Sequence, residues 1–383
     1  SGSTISGGIT VTATPETFTL TEGQSQEVTI NADSTNASAH DWSFGLVNLT
    51  AEGQPDLHLP VSVIANKGTI PENVSVTAAR DADFHILKDV TSLSFTDLTV
   101  RSYGLIKPTL TELALPKDSD NASIYDDPSD GVHVSTYTIA ENTQRFVAQI
   151  TQSDSPDLDL FVGIDANGDG IPQASEQIAS SATATALESL SFTLPTAGTY
   201  WVAVQNWASA DEGSTDAFTL ATAIVTDEER DNLSASASDG VEQLTPFDLT
   251  LNWNLDDATE GDLYYGALDL GTDSENPGNM GLVTVDLVRG ADDVSIMTSQ
   301  DSSVDTNDEV TYTIAVAANA QPIDKEYTIT VDVPTDLVVD ADSISHGGSL
   351  TGSAISWTLT QTSMYGLTSG YEMTSNANTA TCE

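Results

Sequence analysis

Apolar and polar residues alternate with a period of two along most of this chain. Val310, Tyr312, Ile314 and Val316 are interleaved with Thr and Ala, and Tyr327, Ile329, Val331 and Val333 keep the same rhythm. So do Ile355, Trp357 and Leu359, and Phe146, Ala148 and Ile150. Successive side chains of a strand point to opposite faces, so this alternation predicts strands with one face on a core and the other toward solvent. Thr and Val are abundant, and turn-forming residues recur about every 8–12 positions, the spacing of short strands in β-sandwiches. No window shows a convincing helical period; the best helix candidate is a short segment near 172–181. The expected fold class is all-β, with several tandem β-sandwich domains in an elongated array.

Breaks in the pattern suggest the units. Residues 1–66 form a first sandwich ending in the run LHLPVSVIA, and 67–111 a β-rich connecting segment with a turn at Ile70-Pro71-Glu72. The acidic stretch KDSDNASIYDDPSDG at 117–131 opens a third unit, 112–225. The run TDEERDN at 226–232 is a charged linker, expected as an exposed joint, followed by a β-module over 233–290 and a last sandwich over 291–383.

One segment carries specific chemistry. Residues 165–176 read DANGDGIPQASE, which puts Asp165, Asn167 and Asp169 at positions 1, 3 and 5 of a calcium loop, Gly170 at 6 and Glu176 at 12. Calcium takes about six to eight hard oxygens, and short polar side chains alternating on a tight turn can aim them at one point. Position 7, Ile171, supplies a backbone carbonyl in such loops. The flanks are not helical: DLDLFVGI before the loop alternates like a strand, and Pro172 replaces the usual apolar anchor. The expectation is therefore a calcium-binding β-turn and not an EF-hand; the alternative is an acidic, solvated turn. Asp157 and Asp159 are two apart on the preceding strand, so both carboxylates face one side. They are candidates for a second calcium site, or for ligands that join the first, against the alternative of an ordinary solvated strand face.

The charge narrows the setting. The 383 residues carry 58 Asp and Glu against 10 Lys and Arg, a formal net charge of −48. Such a surface repels phosphate, which excludes nucleic acid and anionic membranes as natural partners, and it favours cations and salt. A marine habitat and an extracellular or cell-surface location are expected. With 39% hydrophobic residues there is enough apolar material for packed cores. The single cysteine, Cys382, rules out an intramolecular disulfide among these residues. Sequons such as Asn36-Ala37-Ser38 and Asn73-Val74-Ser75 occur. No signal-peptide pattern and no apolar run of about 18 residues is present, so no membrane insertion is expected.

Longer runs resemble known modules. VTATPETFTLTEGQSQEVTI (11–30), WSFGLVNLT (42–50) and DLHLPVSVIA (56–65) resemble the fibronectin type III-like domain that follows the catalytic domain of large secreted subtilisin-like peptidases. In that family two further strands precede the first run, which implies that residues 1–66 begin inside a domain. DLDLFV (157–162) and LPTAGTYWVAVQNW (194–207) resemble a bacterial pre-peptidase C-terminal domain. Residues 233–290, with PFDLTLNWNL and DLYYGALDLGTDSENPGNMG, resemble the next, Ig-like module of such peptidases, and 291–375 resemble a conserved-repeat sandwich. The resemblance implies the non-catalytic C-terminal region of a secreted subtilisin-like serine peptidase. Its partners would be the catalytic domain of the same polypeptide and a protein or polysaccharide substrate.

A catalytic centre is not legible. The Asp-Ser/Thr-Gly, His-Gly-Thr-His and Gly-Thr-Ser-Met blocks of a subtilisin-like triad do not occur, and His40, His58, His85, His133 and His346 are scattered singly. Ser345-His346-Gly347-Gly348-Ser349 comes nearest, in a predicted turn. Trp207, Trp253, Tyr264 and Tyr265 lie near acidic turns and could grip a sugar or a collagen-like ligand, although aromatics in sandwiches are more often core. An adhesin or surface stalk built from the same modules is the alternative reading, and a hydrolase with an unfamiliar site the third.

Overall fold

In the computed structural model, the described residues are 9–33, 42–64, 67–121, 123–211, 213–298, 310–335, 337–364 and 379–382. His40 and the Asn36-Ala37-Ser38 sequon lie outside them. The β-branched, alternating segments form strands, and no α-helix occurs among the described residues. The chain is all-β, built from several separate sheets. Two compact units are distinguished: Ser1–Ser75, Asp89–Leu249 and Leu263–Asp286 form one, and Val76–Lys88, Thr250–Asp262 and Leu287–Glu383 the other.

The strands run as follows. β1 (Thr10–Thr14) pairs with β2 (Thr29–Asp33), and β3 (Trp42–Leu49) with β4 (Leu57–Ile64), each as an antiparallel two-stranded sheet. After them come β5 (Asn73–Ala78), β6 (Ala82–Val90) and β7 (Thr99–Ile106). The next eight strands make a complete sandwich: β8 (Thr109–Pro116), β9 (Val132–Ile139), β10 (Thr143–Ser153), β11 (Asp157–Ile164), β12 (Gln177–Ser181), β13 (Ser189–Thr193), β14 (Gly198–Ala208) and β15 (Thr215–Thr226). Its sheets have the orders β13-β10-β15-β8 and β12-β11-β14-β9.

Then come β16 (Leu233–Ser236), β17 (Phe247–Asn254), β18 (Leu263–Gly271) and β19 (Gly281–Arg289). These do not form sheets of their own. They join the earlier strands in the orders β16-β17-β6 and β5-β19-β18-β7. Segment 67–111, expected as a connecting segment, and 233–290, expected as a module of its own, thus contribute to common sheets, and the eight-stranded sandwich is inserted between them in the chain. Period-two alternation reports that a segment is a strand but not which strand it pairs with. The remaining strands are β20 (Val294–Thr298), β21 (Tyr312–Val316), β22 (Lys325–Asp332), β23 (Ser349–Thr351), β24 (Ala354–Gln361) and β25 (Thr379–Cys382), in the sheets β20-β21-β25 and β22-β24-β23.

In the inserted sandwich, Leu158, Leu160 and Val162 of β11 and Val202 and Val204 of β14 meet Phe146, Ala148 and Ile150 of β10 and Leu220 of β15 in one buried core. The best helix candidate, near 172–181, forms no helix: Gln177–Ser181 is β12, paired with β11 from Leu160 to Gly163. Pairing with a strand already in place outweighs the weak helical preference of so short a segment.

The 226–232 connection has exposed charged side chains, as expected, but its backbone is tied down. The Arg230 N–H donates to the Ser102 carbonyl at 2.9 Å, and the Asn232 side chain pairs with both backbone groups of Leu105. Arg145, far in sequence from all three of these partners, is buried and donates to Asp286 at 2.6 Å, to the Val285 carbonyl at 3.1 Å and to Ser191 Oγ at 3.0 Å. In the second unit, Ile314, Ile355 and Trp357 form the core, and Arg80–Asp293 and Arg289–Asp81, each at 2.8 Å, are ion pairs.

Candidate metal centre

The DANGDGIPQASE segment is the hairpin loop between β11 and β12. Its base is fixed on both sides: Asp165 N–H donates to the Thr199 carbonyl at 2.9 Å, and Ile164 N–H to the Glu176 carbonyl at 3.0 Å. Gly170 has φ +71°, the left-handed conformation that glycine adopts without strain. This lets the chain turn back at the sixth loop position.

The loop carboxylates are held by backbone N–H groups. Asp165 Oδ1 accepts from Gly168 at 2.8 Å and Asp169 at 3.1 Å, and its Oδ2 accepts from Gly170 at 3.0 Å. Asn167 Oδ1 accepts from Asp169 N–H at 2.9 Å, and Asn167 Nδ2 donates to Asp169 Oδ2 at 2.9 Å. Asp169 Oδ1 accepts from Ile171 N–H at 2.8 Å, and its Oδ2 from Gln173 Nε2 at 3.2 Å. Ile171 is exposed, while Pro172 is buried and takes the place of the apolar anchor.

Glu176 is buried at the foot of the loop. Its Oε1 accepts from Ala166 N–H at 3.0 Å and its Oε2 from the Trp201 indole N–H at 3.1 Å. Trp201 is fully buried on β14 and packs against Gly163, where an added Cβ would stand 2.1 Å from the ring. Sequence reasoning missed Trp201, because nothing in the local pattern links it to a residue 25 positions away.

Among the described residues, no three His, Cys, Asp or Glu side chains stand close enough together to hold a metal. The donor set nevertheless fits a hard cation. A carboxylate has about four acceptor sites. Asp165 and Asp169 each accept three bonds and Glu176 two, so each keeps at least one oxygen lone pair.

Asp157 and Asp159 lie at the other end of β11, apart from the loop. Asp159 is 9% exposed, and Asp157 Oδ1 is buried without a hydrogen-bond partner. Burial, then the charges of Asp157 and Glu188, push Asp159 up to about 6. Burial and Glu188 raise Asp157 as well. Glu188, which sequence reasoning did not single out, is buried just before β13 and accepts from Ser181 Oγ and from the Thr183 N–H and hydroxyl. Its burial would raise it, but these hydrogen bonds prevail and hold it below the usual range.

Other candidates fall elsewhere. Trp253, Tyr264 and Tyr265 are buried, and only Trp207 of the four is partly exposed, at 37%. Ser345 Oγ lies 2.9 Å from His346 Nδ1 in an exposed turn, and His133 Nε2 lies 2.7 Å from Ser135 Oγ on β9. Neither imidazole bonds a carboxylate among the described residues. Burial lowers the pKa of His133 and of His85.

No family model and no curated protein matches the sequence. Among solved structures, one with the M60 catalytic domain and two CBM51 domains from Clostridium perfringens ZmpB aligns over 94% of this chain, at 9% identity and a TM-score of 0.20. The aligned region spans 42% of that chain's length. No helix of the described residues is long and apolar enough to cross a membrane.

Proposed function

We propose that the chain is the non-catalytic C-terminal region of a secreted subtilisin-like serine peptidase, acting outside the cell to stabilise and position the catalytic domain of the same polypeptide. The observation that carries this is the β11–β14 region. DLDLFV and GTYWVAVQNW, the runs that resemble a pre-peptidase C-terminal domain, are paired strands of one complete sandwich. The reading includes calcium. Asp165, Asn167, Asp169 and Glu176, with the Ile171 carbonyl, would hold it and draw the β11–β12 hairpin together.

A fluorophosphonate probe and a casein assay test the non-catalytic part. The isolated chain is expected to show no labelling and no hydrolysis, and stoichiometric labelling of one serine would overturn it. The coding sequence upstream decides the parentage: it should carry the His-Gly-Thr-His and Gly-Thr-Ser-Met blocks. Calorimetry tests the calcium, with Asp165→Asn plus Asp169→Asn expected to abolish loop binding and the associated EDTA sensitivity of melting.

One observation favours the alternative, a calcium-stabilised adhesin or surface stalk. On β3, Trp42 and Phe44 are 58% and 66% exposed and stack at 6.2 Å with 18° between the rings. Exposed aromatic pairs of this kind suit a surface ligand, and an upstream sequence without peptidase blocks would select this reading.

A further inference from the structure

Asp157 and Asp159 occupy a position that the loop does not explain. Their side chains leave β11 on one side, while Leu158 and Leu160 enter the core. The charges that act on Asp159 are Asp157 and Glu188, both negative, and no hydrogen-bond donor acts on its carboxylate among the described residues. Asp157 Oδ1 is buried and likewise has no partner. Glu188 cannot relieve either of them, since its own oxygens are engaged by Ser181 and Thr183. A buried ion without a partner is costly, typically by several kcal/mol. Native buried charges are therefore paired or coordinate metals.

We propose that Asp157 and Asp159 form a second divalent-cation site, separate from the 165–176 loop, in which both carboxylates bind the ion and water completes its shell. The class of ligand follows from the donors. Carboxylate oxygens suit hard cations such as calcium and magnesium, and a site with only two carboxylates is satisfied without a third protein ligand when waters remain on the ion. That agrees with the lack of any cluster of three metal-binding side chains among the described residues. The affinity belongs at the weak end, on the order of 10⁻⁴–10⁻³ M, as in extracellular modules. The charge of −48 raises the local cation concentration around such a site. A register shift places Trp207 next to the site: Asp157 pairs with Ala208 and Leu158 with Asn206, so Trp207 is the extra residue on β14.

The proposal extends the calcium reading of the loop, and its test separates the two. The full chain is titrated calorimetrically with CaCl2 and, separately, MgCl2, and by terbium luminescence excited through tryptophan. Four forms are compared: wild type, Asp165→Asn/Asp169→Asn, Asp157→Asn/Asp159→Asn, and all four substitutions together. Two equivalents of ion are expected for wild type, one for each double variant and none for the quadruple. The Asp165→Asn/Asp169→Asn form should keep a terbium signal, sensitised by Trp207, that is lost in the quadruple. A single wild-type equivalent that disappears with Asp165→Asn/Asp169→Asn overturns this proposal and leaves the loop reading intact. A single equivalent that disappears with Asp157→Asn/Asp159→Asn does the reverse. Binding unaffected by Asp157→Asn/Asp159→Asn also overturns it. Melting in EDTA controls for folding: Asp157→Asn/Asp159→Asn should be at least as stable as wild type, and each loop variant should still melt in one cooperative transition.

Discussion

Two sets of acidic side chains lie at opposite ends of β11, and they meet opposite environments. In the 165–176 loop every carboxylate is answered by N–H donors. At Asp157 and Asp159 the carboxylates face each other and a third negative charge. The difference lies in the backbone. A tight turn leaves its N–H groups unpaired, and a short acidic side chain can fold back onto them. A central strand spends its N–H groups on the ladders to both neighbours. β11 pairs with β14 throughout and with β12 from Leu160 onward, the Asp157 N–H goes to Ser155 Oγ, and the extended backbone turns none of its own N–H groups back onto the two carboxylates. The same residue type is therefore stabilising in the turn and unfavourable, as a bare charge, on the strand.

This contrast can be broken experimentally. The largest effect is expected at Glu176. Glu176→Ala strands the Trp201 indole N–H and the Ala166 N–H, each worth about 1–3 kcal/mol when buried and unpaired. Urea denaturation should show a loss of about 2–4 kcal/mol. A loss below half a kcal/mol would mean that the foot of the loop is not a structural tie.

On the strand the sign should reverse. In EDTA at neutral pH, Asp159→Asn removes a buried charge that lacks a partner, and stability should rise by about 1 kcal/mol after allowance for solvent screening. Destabilisation by that substitution under metal-free conditions would show that Asp159 already has a favourable partner.

A third carboxylate of the same sandwich gives the smallest effect and sharpens the rule. Asp216 is buried on β15, yet Asn206, Ser209, Ser214 and the Ala210 N–H all donate to it. Burial alone would raise it, but these hydrogen bonds win and lower its pKa. A lowered folded-state value contributes stability above the ordinary carboxylate range and loses it as pH falls through the folded value. Thermal melting of Asp216→Asn between pH 5 and 2 should therefore decline less steeply with acid than wild type. Parallel curves would remove Asp216 from the acid response.

Much of the strand content was legible in the sequence. The alternating runs at 146–150, 310–316, 327–333 and 355–359 fall on β10, β21, β22 and β24, with Val310 and Val333 just outside β21 and β22. Alternation survives because each of these strands has one face on a core. The DANGDG spacing also announced a tight turn between strands. What was not legible depends on contacts distant in sequence. The shared sheets of β5–β7 and β16–β19 leave no local mark, and neither does the hydrogen bond from Trp201 to Glu176. Residues 177–181 misled because five residues are too few to distinguish the two periods. Tyr264 and Tyr265 follow the commoner expectation for aromatics in sandwiches and not the surface alternative: both sit in β18 with buried side chains.

The insertion of one sandwich within the sheets of another also has a consequence for biosynthesis. β5, β6 and β7 leave the ribosome long before the strands that flank them, because β8–β15 must be made first. At about 5–20 residues per second, that interval lasts roughly ten seconds or more. During it the inserted sandwich, whose strands are contiguous in the chain, can complete both of its sheets. The earlier strands wait with unpaired edges, which are templates for adventitious pairing between nascent chains. Arg101 and Lys88, on β7 and β6, place positive charge on those waiting segments in a chain that is otherwise strongly acidic.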